Sequence, residues 1–267
     1  APMNKTLFAK ELRANLFVSG IIAAVLAMYI GMIISMFDPK LGESLDLMMQ
    51  SMPEIFAAFG MSTQATTLID FMLNYLYGFL LTIFILVLIL IMVNKLMVRY
   101  LDRGAMAYLL ATPNSRTRIA LTMVGVMVTV LVALIAVVTA LEVGFGEGMF
   151  PGELDFEALA RVNAGLLALW LALAGLCFLS ACLFSNATAA LWVGGGLGIL
   201  FFLMQMVSKV GDKFEFLQNI NPLTLFDYYG LAAGDASAVG GAVALAASAV
   251  ALFAAAVVVF DRRNLSI

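Results

Sequence analysis

LTIFILVLILIMVNKLMVRYLDRGAMAYLLATPNSRTRIALTMVGVMVTV, residues 81–130, sets a charged, proline-bearing centre between two runs that are almost free of polar side chains. The two flanks decide the fold class. Each belongs to an apolar run of about twenty residues, the length a helix needs to cross roughly 30 Å of hydrocarbon. The pattern shows no period-2 alternation of the kind a membrane barrel requires. Over the 267 residues, 64% are hydrophobic and 12% charged, against roughly 45–50% and 25% in soluble domains. The chain therefore reads as an all-α polytopic membrane protein forming one transmembrane domain over 1–267.

Six transmembrane helices are expected, over about 16–37, 71–97, 119–141, 162–184, 187–207 and 238–260. Ahead of them, residues 3–15 alternate Leu7, Phe8 and Leu12 with Lys5, Lys10, Glu11 and Arg13, the pattern of an N-terminal amphipathic surface helix. Ala1-Pro2 before Met3 reads as an added pair, with Met3 the natural start. The first apolar run lacks a small-x-small cleavage site, so it is expected to stay in the mature chain.

Charge orients the bundle. The N-terminal tail, the loop after span 2 and the C-terminal tail carry Lys5, Lys10, Arg13, Lys95, Arg99, Arg103, Arg116, Arg118, Arg262 and Arg263. The opposite face has only Lys40, Arg161, Lys209 and Lys213. By the positive-inside rule both termini and the quoted loop face the cytoplasm of a multi-pass cell-membrane protein. Only Glu11, Asp102 and Asp261, of 17 acidic residues, share that side.

On the outer side, LGESLDLMMQSMPEIFAAFG (41–60) spaces Leu41, Leu45, Met48, Met52, Ile55 or Phe56 and Phe59 for one apolar helical stripe. It reads as a helix on the membrane surface or a cap on the bundle. Its methionines read as packing rather than a soft-metal site, since no Cys or His accompanies them. Cys177 and Cys182 lie inside an apolar run and read as small hydrophobes. The small residues of WVGGGLG (192–198), and Gly240, Ala244 and Ser248 or Ala247, Ala251 and Ala255 in span 6, allow close helix approach within or between chains.

Chemistry is sparse. No ionisable residue is expected in mid-span, where proton pumps and ion-coupled carriers keep theirs. Tyr29, Ser35, Asn74, Thr82, Thr122, Thr129, Ser180 and Gln205 read as interhelical hydrogen-bonding groups. The sequence has no histidine, no phosphate-binding loop and no catalytic triad or metalloprotease motif. These absences predict a chain that is not an enzyme and holds no catalytic, cofactor-binding or metal site. Basic residues without an aromatic platform predict no nucleic-acid binding. The lipid bilayer is the expected surrounding.

The loop itself has an apolar centre (Ala105, Met106, Tyr108, Leu109, Leu110), a basic rim, and Thr112-Pro113 to end its short helix. Physically it is a cytoplasmic element that rests on headgroups or docks a protein. Gly104, Leu109, Leu110, Thr112, Pro113, Ser115 and Arg116 resemble the "G-[TS]-x-x-x-L-L-x-[ST]-P-x-[ST]-R" loop of type 2 ABC exporter permeases. The K-E-L-R core at Lys10 to Arg13, Asn221-Pro222 before span 6, and F-D-R-R-N-L at Phe260 to Leu265 are similar to other family features. Ala105 stands where the family has Thr or Ser, and Asp102 alone precedes the glycine as an acid; these departures bear on the subfamily.

The resemblance implies the transmembrane subunit of an ATP-driven exporter, with the loop as a cytoplasmic coupling helix between helices 2 and 3. It implies a separate cytoplasmic ABC ATPase subunit that carries ATP and Mg, and a second permease copy in a homo- or heterodimer. Arg103, Gly104, Leu109, Leu110, Pro113 and Arg116 are the expected ATPase-coupling residues. The alternative is a non-transport membrane scaffold or signalling protein whose loop docks a regulator.

Overall fold

The computed structural model describes residues 3–61 and 67–263, the side chains of 39–43 apart. Within them the chain is helical throughout, with no strand. In chain order the helices are α1 (Lys5–Ser35), α2 (Pro39–Ser51), α3 (Pro53–Ala58), α4 (Leu68–Met72), α5 (Leu80–Val93), α6 (Arg99–Asp102) and α7 (Met106–Leu110). There follow α8 (Arg116–Met149), α9 (Phe156–Leu183), α10 (Ala187–Ser208), α11 (Tyr228–Ala233) and α12 (Ala236–Arg262). A π turn, Asn94–Val98, joins α5 to α6, and another, Leu73–Tyr77, extends α4. Six helices are long and apolar enough to span a membrane: α1, the run Leu80–Asp102, α8, α9, α10 and α12. The six expected spans are thus present.

Polar caps mark where helices begin, because the first backbone N–H groups of a helix have no partner inside it. The Asn4 side chain accepts from the amides of Thr6 and Leu7, Ser115 from Arg118, Asp155 from Glu157 and Ala158, and Asn186 from Thr188. Each of these residues precedes a span. The capping is therefore written locally into the sequence.

Helix α9 is the centre of the bundle, with 72% of its apolar window buried against 28% for α1 and α10 and 33% for α12. It packs on α12, α10, α5 and α8. Small residues set the spacing: a Cβ on Gly194 would meet the Cys177 Cα at 2.8 Å, and one on Gly175 would meet Leu252 Cβ at 2.9 Å. The Ser180 hydroxyl fastens the α9–α10 approach, donating to the Ala190 carbonyl at 2.7 Å and accepting from the Gly194 amide at 3.0 Å. The small residues of α10 thus serve packing within the chain. On α12 the buried face is Leu245, Ala249, Phe253, Ala256 and Phe260, while Ala247, Ala251 and Ala255 stay exposed.

Four details differ from the sequence expectation. First, the amphipathic stretch 3–15 and the first span form one unbroken helix, about 46 Å long at 1.5 Å per residue. No proline interrupts it, and Leu7, Glu11 and Asn15 continue the buried stripe of Ile22, Leu26 and Ile30. Second, the expected span over 71–97 is broken at Gly78-Phe79. Phe79 leaves helical geometry (φ −139°, ψ −62°), and the Trp170 indole donates to the Leu81 carbonyl just beyond at 2.9 Å. Third, α8 continues to Met149, well past the expected span end at 141, so Glu142 is helical and buried. Fourth, the outer stripe is only partly packed: Leu45 and Phe59 bury against the bundle, whereas Met48, Met52 and Ile55 are exposed.

The break in span 2 rests on backbone-to-backbone contact. A Cβ on Gly78 would lie 2.1 Å from the Phe59 carbonyl oxygen and 3.1 Å from the Gly60 Cα. Gly78→Ala should therefore lower stability by about 1–3 kcal/mol, read as thermal unfolding in detergent. Gly196→Ala, whose Cβ meets no atom within 4 Å, should leave it unchanged.

Candidate functional site: the loop end of the bundle

The expected coupling residues lie in and beside the short connection from α6 to α8. Gly104 has φ +67°, a left-handed conformation that turns the chain out of α6, and open space surrounds its Cβ position. Its requirement is conformational rather than steric. Helix α7 then runs across the end of the bundle, with Met106 buried at 3% exposure and Leu109 and Leu110 half-buried against the core. Tyr108 projects with 81% exposure. The Thr112 hydroxyl closes the helix on the Leu109 carbonyl, Pro113 is exposed, and Ser115 starts α8.

Of the loop's expected apolar centre, Met106, Leu109 and Leu110 seat the helix, and Tyr108 is the group that projects. The cause is helical phase: in one and a half turns Met106 and the Leu109-Leu110 pair share the inward side, leaving Tyr108 opposite. Arg103 and Arg116 also separate. Arg103 lines a cavity with Lys10, Lys95 and Arg99, whereas Arg116 donates to the Arg263 carbonyl.

That second contact belongs to a wider tie between chain segments. The Thr117 hydroxyl donates to Asp261 at 2.8 Å, and the Arg263 guanidinium donates to the Cys182 carbonyl at 2.9 Å and to the Ser185 hydroxyl. At the other chain end the Asn4 amide donates to Thr122 at 3.0 Å, and its side chain donates to Asn114 at 3.2 Å. The loop, both terminal segments and the 183–186 turn therefore meet at one end of the bundle, the basic one. Asp261 and Arg263 of the terminal motif take part in this tie, while Asn264 and Leu265 lie outside the described residues.

The opposite, acidic end holds a buried polar group that the sequence reading missed. The Glu142 carboxylate is fully buried, with both oxygens near the Tyr77 hydroxyl (2.8 and 3.1 Å). That hydroxyl also meets the Asn163 side-chain oxygen, and the Asn163 amide donates to Thr139 at 2.8 Å. Spacing carried the signal: Ile135, Val138, Glu142 and Gly146 continue one buried stripe of α8. Beside it, a groove of about 570 Å³ between α8 and α9 is lined by Ile135, Thr139, Asn163 and Leu167.

Aromatic residues close the same end. The Tyr228 and Tyr229 hydroxyls donate to the Gly60 carbonyl at 3.2 and 2.8 Å, and Tyr229 also reaches Asn74. A cavity of about 510 Å³ beside them is lined by Lys209, Asp212, Glu215, Phe226 and Asp227 among others. Burial pushes the Lys209 ammonium below its ordinary pKa, with Asp227 opposing the shift. Arg161 holds the end of α11 through the Leu231 and Ala232 carbonyls at 2.8 and 2.9 Å.

Tyr77→Phe removes the hydroxyl that faces both Glu142 oxygens. It should destabilise the protein by about 1–3 kcal/mol, the cost of an unsatisfied buried polar group. Thermal unfolding in detergent measures this, and Glu142→Leu in the Tyr77→Phe background should recover part of the loss.

Neither a search of curated proteins nor a search of solved structures finds a match. Residues 6–261 match the family model described as "Multidrug efflux system permease Rv1217c, C-terminal domain". The match runs from the start of α1 to the end of α12, through all six apolar helices and the loop between them. On that footing the chain belongs to the family of multidrug efflux permeases, as a multi-pass membrane transport protein.

Proposed function

We propose that the chain is the membrane-spanning permease subunit of an ATP-driven ABC exporter, coupled to a separate ATPase. Its basic end, with both termini and the α6–α8 loop, faces the cytoplasm. A cytoplasmic ATPase subunit holds ATP and Mg and receives the loop, and a second permease copy completes the translocation path. The transported compounds cross without an enzymatic step in this chain.

One observation carries this reading: an exposed aromatic side chain on a short helix at the basic end, mounted directly on spans 2 and 3. Tyr108 offers a partner an apolar knob, Met106 seats the helix, and α8 begins six residues after α7. A movement of α7 is thereby transmitted to α8, whose 34 residues reach about 51 Å to the opposite end. The ATPase can drive the permease only by binding this element more tightly in one state than in the other. The resemblance of Gly104 to Arg116 to a coupling loop, and the family match, point the same way.

Tyr108→Asp is the direct test because the side chain is exposed and contributes little to the core. It should reduce co-purification of the cognate ATPase, and drug-stimulated ATP turnover, by about 10-fold or more, since truncating a central aromatic anchor typically costs over 1 kcal/mol. Thermal stability should be unchanged. Leu109→Asp plus Leu110→Asp should also abolish association, but with a loss of stability because both residues are half-buried. Full ATPase retention by both variants overturns the docking role and returns the loop to the scaffold reading.

A further inference from the structure

A cavity of about 320 Å³ opens at the basic end between α1 and the end of span 2. Lys10, Lys95, Arg99 and Arg103 line it, together with Tyr100 and Ala14. Glu11 is the one carboxylate in the lining, and its charge is already engaged. It is 3% exposed, accepts from the Tyr100 hydroxyl, and lies 3.7 Å from the Lys10 ammonium. Lys10 also donates to the Tyr100 hydroxyl at 3.3 Å and stands 5.8 Å from its ring centre. Lys95 is fixed by one bond, to the Ala14 carbonyl at 3.1 Å, with two further N–H groups to offer.

Among the described residues, no acidic group lies within ion-pair distance of Lys95, Arg99 or Arg103. Asp102, on the same turn, is exposed and does not line the cavity. Three cations thus converge on one space whose single carboxylate, Glu11, is engaged by Lys10 and Tyr100. Such a space attracts an anion with several acceptor oxygens, and a phosphate fits guanidinium and ammonium donors well.

The surroundings select the kind of phosphate. Ala14 lines the cavity on α1, and Phe17, Ile21 and Met28 follow on the same helical face at 77%, 48% and 59% exposure. An apolar strip therefore leads from the cationic cavity along the first span into the hydrocarbon layer. Basic pockets at the inner ends of spans are the geometry in which anionic headgroups are held while their chains follow the helix. We propose that this cavity binds the phosphate of an anionic phospholipid of the inner leaflet, with an acyl chain along Phe17 and Ile21. A lipid bound there bridges the N-terminal helix and the start of the α6–α8 loop through Lys10 on one side and Arg99 and Arg103 on the other. This goes beyond the exporter reading, requires no ATPase, and is measured on the permease alone.

The full chain, purified in neutral detergent, is titrated with dioleoylphosphatidylglycerol, dioleoylphosphatidylcholine or inorganic phosphate, and retained ligand is read by native mass spectrometry. Phosphatidylglycerol should be held at least about 10-fold more tightly than phosphatidylcholine, as expected for several basic contacts to a net anionic headgroup. Lys10→Gln/Lys95→Gln/Arg99→Gln should abolish the preference. Lys5→Gln/Arg13→Gln/Arg262→Gln, which removes the same charge outside the cavity, should keep it. The Arg99 side chain makes no hydrogen bond or ion pair among the described residues, so Arg99→Gln is a variant little able to disturb folding. It alone should weaken phosphatidylglycerol binding about 5-fold, equivalent to roughly 1 kcal/mol for one basic residue. Equal retention of the two lipids, or equal loss in both triple variants, overturns the site. Displacement of phosphatidylglycerol by equimolar inorganic phosphate overturns the lipid assignment in favour of a free phosphate.

Discussion

A peptide group inside the hydrocarbon layer has no water to bond, and an unpaired one costs several kcal/mol there. The architecture can be read as a set of answers to that constraint. Long helices pair most of the backbone internally, and where the chain departs from a helix, a particular side chain covers the break. Inside helices, Trp170 adds a bond to the Leu81 carbonyl just past the break in span 2, and Ser180 bonds Ala190 and Gly194 where α10 approaches α9. Arg263 covers the Cys182 carbonyl at the end of α9, and Arg161 covers those ending α11. These covering groups come from helices distant in sequence, so each break also fastens two segments together.

The two ends of the bundle are fastened differently. At the basic end, charged and polar side chains tie both terminal segments to the loop, and the cavity between α1 and α6 retains cationic surface unmatched by the chain. At the acidic end, aromatic rings and the enclosed Glu142–Tyr77–Asn163 group close the structure, with Gly60 and Gly78 in backbone contact beneath them. Helix α8 is common to both ends: its first turn carries Arg116 and Thr117, and its outer part carries Glu142. A continuous helix joining a loop at one end to a rigid buried group at the other is suited to carrying displacement between them, which is what the proposed exporter mechanism asks of it.

Several features were legible residue by residue. Asn4, Ser115, Asp155 and Asn186 announce their helices because capping involves only the next two or three residues. Of the groups expected to bond between helices, Asn74, Thr122 and Ser180 contact Tyr229, Asn4 and α10, whereas Ser35 bonds the Met32 carbonyl of its own helix. Pro113 and Ser115 locate the end of the loop, since one has no N–H to donate and the other captures the Arg118 amide in the first turn of α8. Other features escaped because they depend on which face turns inward. Glu142 fell just past the apolar run expected to end at 141, although it lies on the buried face of α8. Which members of the loop's apolar centre turn inward (Met106, Leu109, Leu110) and which projects (Tyr108) is likewise set by helical phase.

By itself the sequence determined the membrane class, the six apolar helices and the segregation of basic from acidic residues. These follow from length, hydropathy and charge, which are properties of consecutive residues. Only the tertiary structure decided that the amphipathic start and the first span are one helix, that Tyr108 projects while its neighbours seat α7, and that Lys95, Arg99 and Arg103 share a cavity with α1. Such outcomes depend on the relative rotation and depth of helices far apart in the chain, and packing fixes these through close contacts such as those at Gly78, Gly175 and Gly194.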